Sequence, residues 1–320
     1  MLKSLVLAGV LAAGLVTPAA AGDAFTETGL ELKSLPGDLK GTLTTPAKKT
    51  KGPVVLILSG SGPTDRDGNS PIGVQAAPYR LLAHGLAERG VTSLRVDKRG
   101  IAASMAAATK EEDLRFQTYS DDARAWAAEL KRQTGAKCVW LVGHSEGALV
   151  AEVAAQNNKD ICGVVLISGA GRKAGDVLRE QLTAGLPKEM QADAFKTLDE
   201  LEAGRTVADP PPALAALFRK SVQPYLISWL PLDPAELVKT VHGPVLIVQG
   251  TTDIQIGMAD AERLAAARSD AKLVKLEGVN HVLKVASADR AANQATYADP
   301  HLPLAPGVVE AVAEFVKARR

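Results

Sequence analysis

The sequence predicts an α/β fold in which a mainly parallel sheet is covered by helices on both faces. Three observations carry that expectation. Short runs of nearly continuous apolar residues, such as 53–58 and 161–167, read as strands buried on both sides. Those runs alternate with helical apolar spacing, which is how parallel strands are joined. The stretch 138–157 also passes from the apolar run 139–142 through Gly143-His144-Ser145-Glu146-Gly147 into an Ala-rich helical pattern. A Ser stands at the apex of that turn, with a Gly two residues to either side.

Taken in order, residues 1–21 read as a cleaved signal peptide: Lys3 is basic, 5–16 is apolar, and Ala19-Ala20-Ala21 ends in a small-residue cleavage site. A cut after Ala21 leaves one large domain, 22–320, with length enough for a sizeable core. Residues 29–46 read as a hairpin turning at Pro36-Gly37-Asp38. The strand 53–58 ends in Ser59-Gly60-Ser61-Gly62-Pro63-Thr64-Asp65-Arg66-Asp67-Gly68-Asn69, too rich in Gly, Pro and Asp to continue any element. A helix is predicted over 79–88, a strand over 92–96 ending at Asp97-Lys98-Arg99-Gly100, and a helix over 120–133 with Ser120 as N-cap and Gly135 as stop. The strand 161–167 follows. From about 172 to 238 strand signals vanish, so this segment is expected to be a helical cap inserted over one end of the sheet. Strands at 245–248 and 272–276 and helices at 259–268 and 306–317 complete the pattern.

The formal net charge is +1, and Lys3 is the one charged side chain of the leader. That balance points to neither nucleic acid nor an anionic membrane surface as a partner. The leader makes the mature chain expected to be exported, periplasmic or secreted, and no later apolar run is long enough to cross a bilayer, so no stable membrane insertion is expected. The two cysteines, Cys138 and Cys162, each begin an apolar strand. They are either a disulfide at one sheet edge or a pair of buried thiols, and the sequence leaves both open. Two cysteines without clustered histidines do not make the usual zinc site.

In a parallel sheet, ligands gather beyond the carboxyl ends of the strands. Ser145 follows one strand, Asp253 another, and His281 the last. A serine hydroxyl is a poor nucleophile until an imidazole takes its proton, and the imidazole needs a carboxylate to fix its tautomer. Each residue type stands on its own loop at the same edge. His84, His144, His242 and His301 are weaker candidates for the base, being placed in a helix, in the Ser145 turn, before a strand and in a tail loop. Asp260 and Asp233 are the substitutes for Asp253.

The combination Gly60-Ser61-Gly62-Pro63, Asp65-Arg66-Asp67-Gly68, Asp97-Lys98-Arg99-Gly100, Gly143-His144-Ser145-Glu146-Gly147 and Asn280-His281 resembles the α/β-hydrolase superfamily from about Leu30 to Arg320. Within it, the chain is similar to bacterial serine esterases related to the prolyl oligopeptidase and serine aminopeptidase groups. The resemblance implies a Ser145, Asp253, His281 triad, an acyl-enzyme, a small-molecule ester substrate and no cofactor. It further implies an oxyanion hole made by the Glu146 N–H and the Ser61 N–H, with Gly62 as the alternative donor. Similar proteins often carry His-Gly where Ser59-Gly60 stands, which puts the anchoring of that loop in question.

The Asp65–Gly68 segment lacks the closing Glu of a calcium loop, so no metal is expected. It reads instead as a hydrogen-bonded brace for the oxyanion loop, with Arg66 near the substrate, while Arg99 reads as part of a structural ion pair. Tyr225, Leu226 and Trp229 in the insertion are candidates for the acyl pocket. The expected activity is hydrolysis of small or medium acyl esters. The alternatives are a serine exopeptidase, an aminopeptidase or a thioesterase on the same triad, and a non-catalytic binding module, against which the complete triad argues.

Overall fold

A computed structural model describes residues 24–48, 51–108 and 110–318. The expected leader, 1–21, lies outside the described residues. Eight strands form one sheet: β1 (Phe25–Leu32), β2 (Leu39–Pro46), β3 (Val54–Leu58), β4 (Thr92–Val96), β5 (Val139–His144), β6 (Ile161–Ile167), β7 (Val245–Gly250) and β8 (Lys272–Leu276). Their order is β1-β2-β4-β3-β5-β6-β7-β8. β1 and β2 pair antiparallel, β2 meets β4 antiparallel, and every later pair is parallel. The hairpin therefore caps one edge of a parallel sheet.

Alternation along β3 divides the core in two. Val54, Leu56 and Leu58 pack with Phe116, Trp126 and Leu130 of the helix Phe116–Thr134 and with the helix Glu146–Ala155. Val55 and Ile57 face the other way, onto Tyr79, Leu82 and Leu86 of the helix Pro78–Glu88 and Val312 and Phe315 of the helix Val308–Ala318. Both faces of β3 are thus covered, which is why its sequence is continuously apolar rather than alternating. Among the described residues no helix is long and apolar enough to cross a membrane.

Cys138 and Cys162 form a disulfide at the amino ends of β5 and β6, with 5.2 Å between their Cα atoms. Gly135 stops the helix Phe116–Thr134 in a left-handed conformation, φ 69°, as expected of it. Ser120, in contrast, is not the N-cap. The helix begins four residues earlier, Arg115 and Thr118 close its first turn, and the Ser120 hydroxyl bonds back to the Gln117 carbonyl. The Phe116 N–H is satisfied by Ser228 Oγ, 2.8 Å away on a helix distant in sequence.

Between β6 and β7 the described chain is helical, with Ala174–Gly185, Lys188–Glu202 and Gln223–Trp229 as its main helices. Both ends of this insertion are fastened to the helix Met258–Ala267. At the leading end, Asp260 accepts the Gly171 N–H (3.0 Å) and pairs with Arg172 (2.7 Å). At the trailing end, Arg268 donates to the carbonyls of Val238 (3.2 Å), Val241 (2.7 Å) and Gly243 (3.0 Å).

Candidate active site

β5 ends in a turn that only glycine can flank. A Cβ on Gly143 would lie 2.1 Å from the Gly147 carbonyl oxygen, and one on Gly147 would lie 2.4 Å from that of Leu58. Between them Ser145 takes φ 55°, ψ −122°, a conformation that L-residues avoid and that is found where function holds strain in place. Its N–H is held by the Ile167 carbonyl at 2.9 Å and its carbonyl by the Ala148 N–H at 3.0 Å. Among the described residues its hydroxyl makes no hydrogen bond, to His281 or to any other group.

His281 follows β8 and is buried, and its Nδ1 lies 2.8 Å from Asp253 Oδ2, after β7. The second carboxylate oxygen of Asp253 accepts the N–H groups of Gln255 (2.8 Å) and Ile256 (3.0 Å). Burial alone would raise the pKa of Asp253. The His281 imidazole and the two N–H donors outweigh it and hold the carboxyl below its usual value. A buried asparagine, Asn293, ties the two loops together: its side chain donates to the Thr252 carbonyl (2.8 Å), and its Oδ1 accepts from Asn280 (3.1 Å), the neighbour of His281. Asn293 stands on the helix Arg290–Ala295, which sequence reading missed because six residues, half of them alanine, carry too little periodicity.

The competing residues are occupied elsewhere. His84 stacks on Phe25 and bonds Glu27, while His242 and His301 are exposed. Asp260 is fully buried on Arg172, and Asp233 caps a short helix through the Ala235 N–H. His144 does more than pack. Its Nε2 lies 2.8 Å from the His281 carbonyl and its Nδ1 2.8 Å from Tyr79 Oη, which also accepts the Gly60 N–H at 3.0 Å. A carbonyl can only accept, so Nε2 carries the proton and Nδ1 accepts from the tyrosine. Burial, helped by the neighbouring His281, pushes the His144 pKa down to about 3.

The loop after β3 backs directly onto the nucleophile turn, where a Cβ on Gly60 would meet Ser145 Cβ at 3.2 Å. Among the described residues neither the Ser61 N–H nor the Glu146 N–H donates to a protein acceptor. Glu146 N–H is the first of its helix, where backbone donors are unpaired and the dipole favours negative charge. Gly62 lies in the same loop at φ 72°, exposed, its carbonyl accepting the Thr64 N–H.

Arg66 is committed to the loop itself. Its Nε and Nη2 bond Asp97 Oδ2 (3.0 and 2.6 Å), its Nη1 reaches Thr42 Oγ1 (3.1 Å), and its backbone N–H takes Asp97 Oδ1 (2.7 Å). The buried Asp97 carboxylate claims the guanidinium, which is a strut of the loop. Asp65 turns the loop by accepting the Asp67 and Asn69 N–H groups, and Asp67 pairs with Arg95. Arg99 pairs with Asp122 rather than with the nearby Asp97.

Tyr225 and Trp229 sit on the cap helix Gln223–Trp229, their rings 6.1 Å apart, with Tyr225 against Tyr119 (5.6 Å). Among the described residues the Tyr225 hydroxyl and the Trp229 indole N–H are buried without a well-formed hydrogen bond. Beside them lie Glu146 and Lys98, whose charged atoms are 4.0 Å apart. Burial raises the pKa of Glu146 and lowers that of Lys98, and each is partly offset by the other's charge. Sequence reading passed over Lys98 although it stands at the carboxyl end of a strand.

A strained serine turn, an imidazole–carboxylate pair and a glycine-rich loop meet at one edge of this sheet, in the strand–turn–helix arrangement of an α/β protein. The sequence matches the alpha/beta hydrolase family over residues 54–294, and the chain belongs to it. Esterase EstD of Thermotoga maritima is 26% identical over 265 residues, 82% of this chain. The chain spans 61% of that relative's length. Est1E from Butyrivibrio proteoclasticus superposes with a TM-score of 0.57 at 18% identity, covering 91% of this chain and 98% of that one. A proline iminopeptidase from Mycobacterium smegmatis gives 0.58 at 15%, again with 91% and 98% coverage. The two solved structures establish the shared fold.

Proposed function

We propose that the chain is an exported serine hydrolase that cleaves carboxylic esters of small or medium acyl groups. The observation that carries this reading is the 2.8 Å contact of His281 Nδ1 with the Asp253 carboxylate, at the sheet edge where Ser145 is held at positive φ. Asp253 keeps the proton on Nδ1, leaving Nε2 as the base. His281 takes the Ser145 proton as Oγ adds to the ester carbonyl, and the N–H groups of Glu146 and Ser61 stabilise the oxyanion. The same imidazole returns the proton to the leaving alcohol, then activates the water that releases the acid. Tyr225 and Trp229 line the acyl side. The esterase name of EstD favours an ester over an amide.

Export is supported by the leader-like residues 1–21 and by the Cys138–Cys162 disulfide, a bond that persists mainly in oxidising compartments. The test is labelling with a fluorophosphonate probe and turnover of a p-nitrophenyl ester series, on the wild type and on Ser145→Ala. Labelling and turnover are expected of the wild type alone. An unlabelled wild type overturns the reading, and amide turnover without ester turnover would make the enzyme a peptidase. Export is checked by the mass of the mature chain, which should begin at Gly22.

A further inference from the structure

Gly60 is gripped at both of its polar atoms. Its N–H donates to Tyr79 Oη at 3.0 Å, and its carbonyl accepts from Lys98 Nζ at 2.6 Å. That carbonyl and the Ser61 N–H belong to one planar peptide group. Whatever fixes the direction of the oxygen fixes the direction of the N–H, which points the opposite way across the plane. An ammonium on the oxygen also draws electron density through the amide, which makes the N–H a stronger donor.

Lys98 is poorly explained as a space-filling residue. It is largely buried just beyond β4, with 11% of its side chain exposed, where an ammonium is costly unless paired, and its Nζ lies 5.5 Å over the Tyr119 ring. Its counter-charge is the Glu146 carboxylate at 4.0 Å, carried by the residue whose backbone N–H begins the adjoining helix. One cation therefore touches the peptide of one candidate oxyanion donor and is balanced by the side chain of the other.

Resting on the serine-hydrolase reading, we propose that Lys98 is a positioning residue that aims and polarises the Gly60–Ser61 peptide toward the oxyanion, with Glu146 keeping it charged. It supplies the anchoring that a His would give where Ser59 stands. Because the oxyanion exists only after attack, the interaction contributes to the transition state and not to binding of the ester.

The test compares Lys98→Met, Lys98→Arg and Glu146→Gln with wild type, measuring kcat, KM and inhibition by a trifluoromethyl ketone that forms the tetrahedral adduct. Lys98→Met should lower kcat by about 10²-fold with KM within about threefold, the signature of a lost transition-state interaction. The ketone should lose affinity by a similar factor. Lys98→Arg, which still donates to the carbonyl, should recover most of the loss, and Glu146→Gln should fall between. A folded Lys98→Met with wild-type kcat, or one whose loss lies wholly in KM, overturns the proposal. If Lys98→Met does not fold, equal kcat values for wild type, Lys98→Arg and Glu146→Gln overturn it as well. Fluorophosphonate labelling separates the two levels: an unlabelled wild type removes the serine-hydrolase reading, while a labelled wild type with an unaffected Lys98→Met removes only the role of Lys98.

Discussion

The Nε2–H of His144 donates to the backbone carbonyl of His281 at 2.8 Å, so the residue beside the candidate nucleophile holds the loop of the candidate base. Through Tyr79 the same imidazole is linked to the Gly60 N–H, and three strand-end loops share one hydrogen-bond relay with a single proton arrangement.

Tyr79→Phe removes the centre of that relay and leaves the Gly60 N–H and His144 Nδ1 unpaired. A loss of about 1–3 kcal/mol is expected in urea unfolding, the usual cost of stranding buried polar groups. Ester kcat should fall about tenfold, since one oxyanion donor loses a support.

His144 also predicts a pH dependence. Its unfolded imidazole takes up a proton near pH 6.5, whereas the folded one resists until about 3. Across that window the unfolded state holds the extra proton, so stability is full above pH 6.5 and is lost as pH falls. Unfolding free energies should slope by about 1.4 kcal/mol per pH unit from this residue. His144→Asn should show a correspondingly shallower slope.

Asp253→Asn replaces the carboxylate that orients His281 with an amide of the same shape. Ester kcat should drop by about 10⁴-fold, because the imidazole is no longer held in the useful tautomer. The circular dichroism spectrum should stay that of wild type. A drop of less than tenfold would mean that another acid does the orienting.

Gly147→Ala drives a methyl group to 2.4 Å from the Leu58 carbonyl, where backbone must yield. A destabilisation of about 3 kcal/mol or more is expected in thermal or urea unfolding. Fluorophosphonate labelling of any folded fraction should also be slow.

The disulfide closes a loop of sequence separation 24, at the sheet edge away from Ser145. The double variant Cys138→Ser, Cys162→Ser should lose about 3 kcal/mol of stability with kcat unchanged. Equal loss of kcat would show that the cross-link reaches the site.

Strands and strand-end residues were legible because apolar runs and the Gly143–Gly147 spacing are local signals. What escaped depends on distant partners. The start of the helix Phe116–Thr134 is set by Ser228, which no window around residue 116 contains. Arg66 looked available until folding brought Asp97 to it across 31 residues. Lys98 and Tyr79 converge on Gly60 from 38 and 19 residues away, contacts that no local pattern announces. The sequence leaves the cysteine pair open because only the register of β5 with β6 decides it.

The helix Met258–Ala267 acts as a docking rail for the cap, with Asp260 fastening one end of the insertion and Arg268 the other. Between those clasps the insertion also reaches inward, where Leu226 joins the apolar core and Ser228 holds the Phe116 N–H. Tolerance to change therefore belongs to its outer face, and replacing the whole segment would unseat the helix Phe116–Thr134.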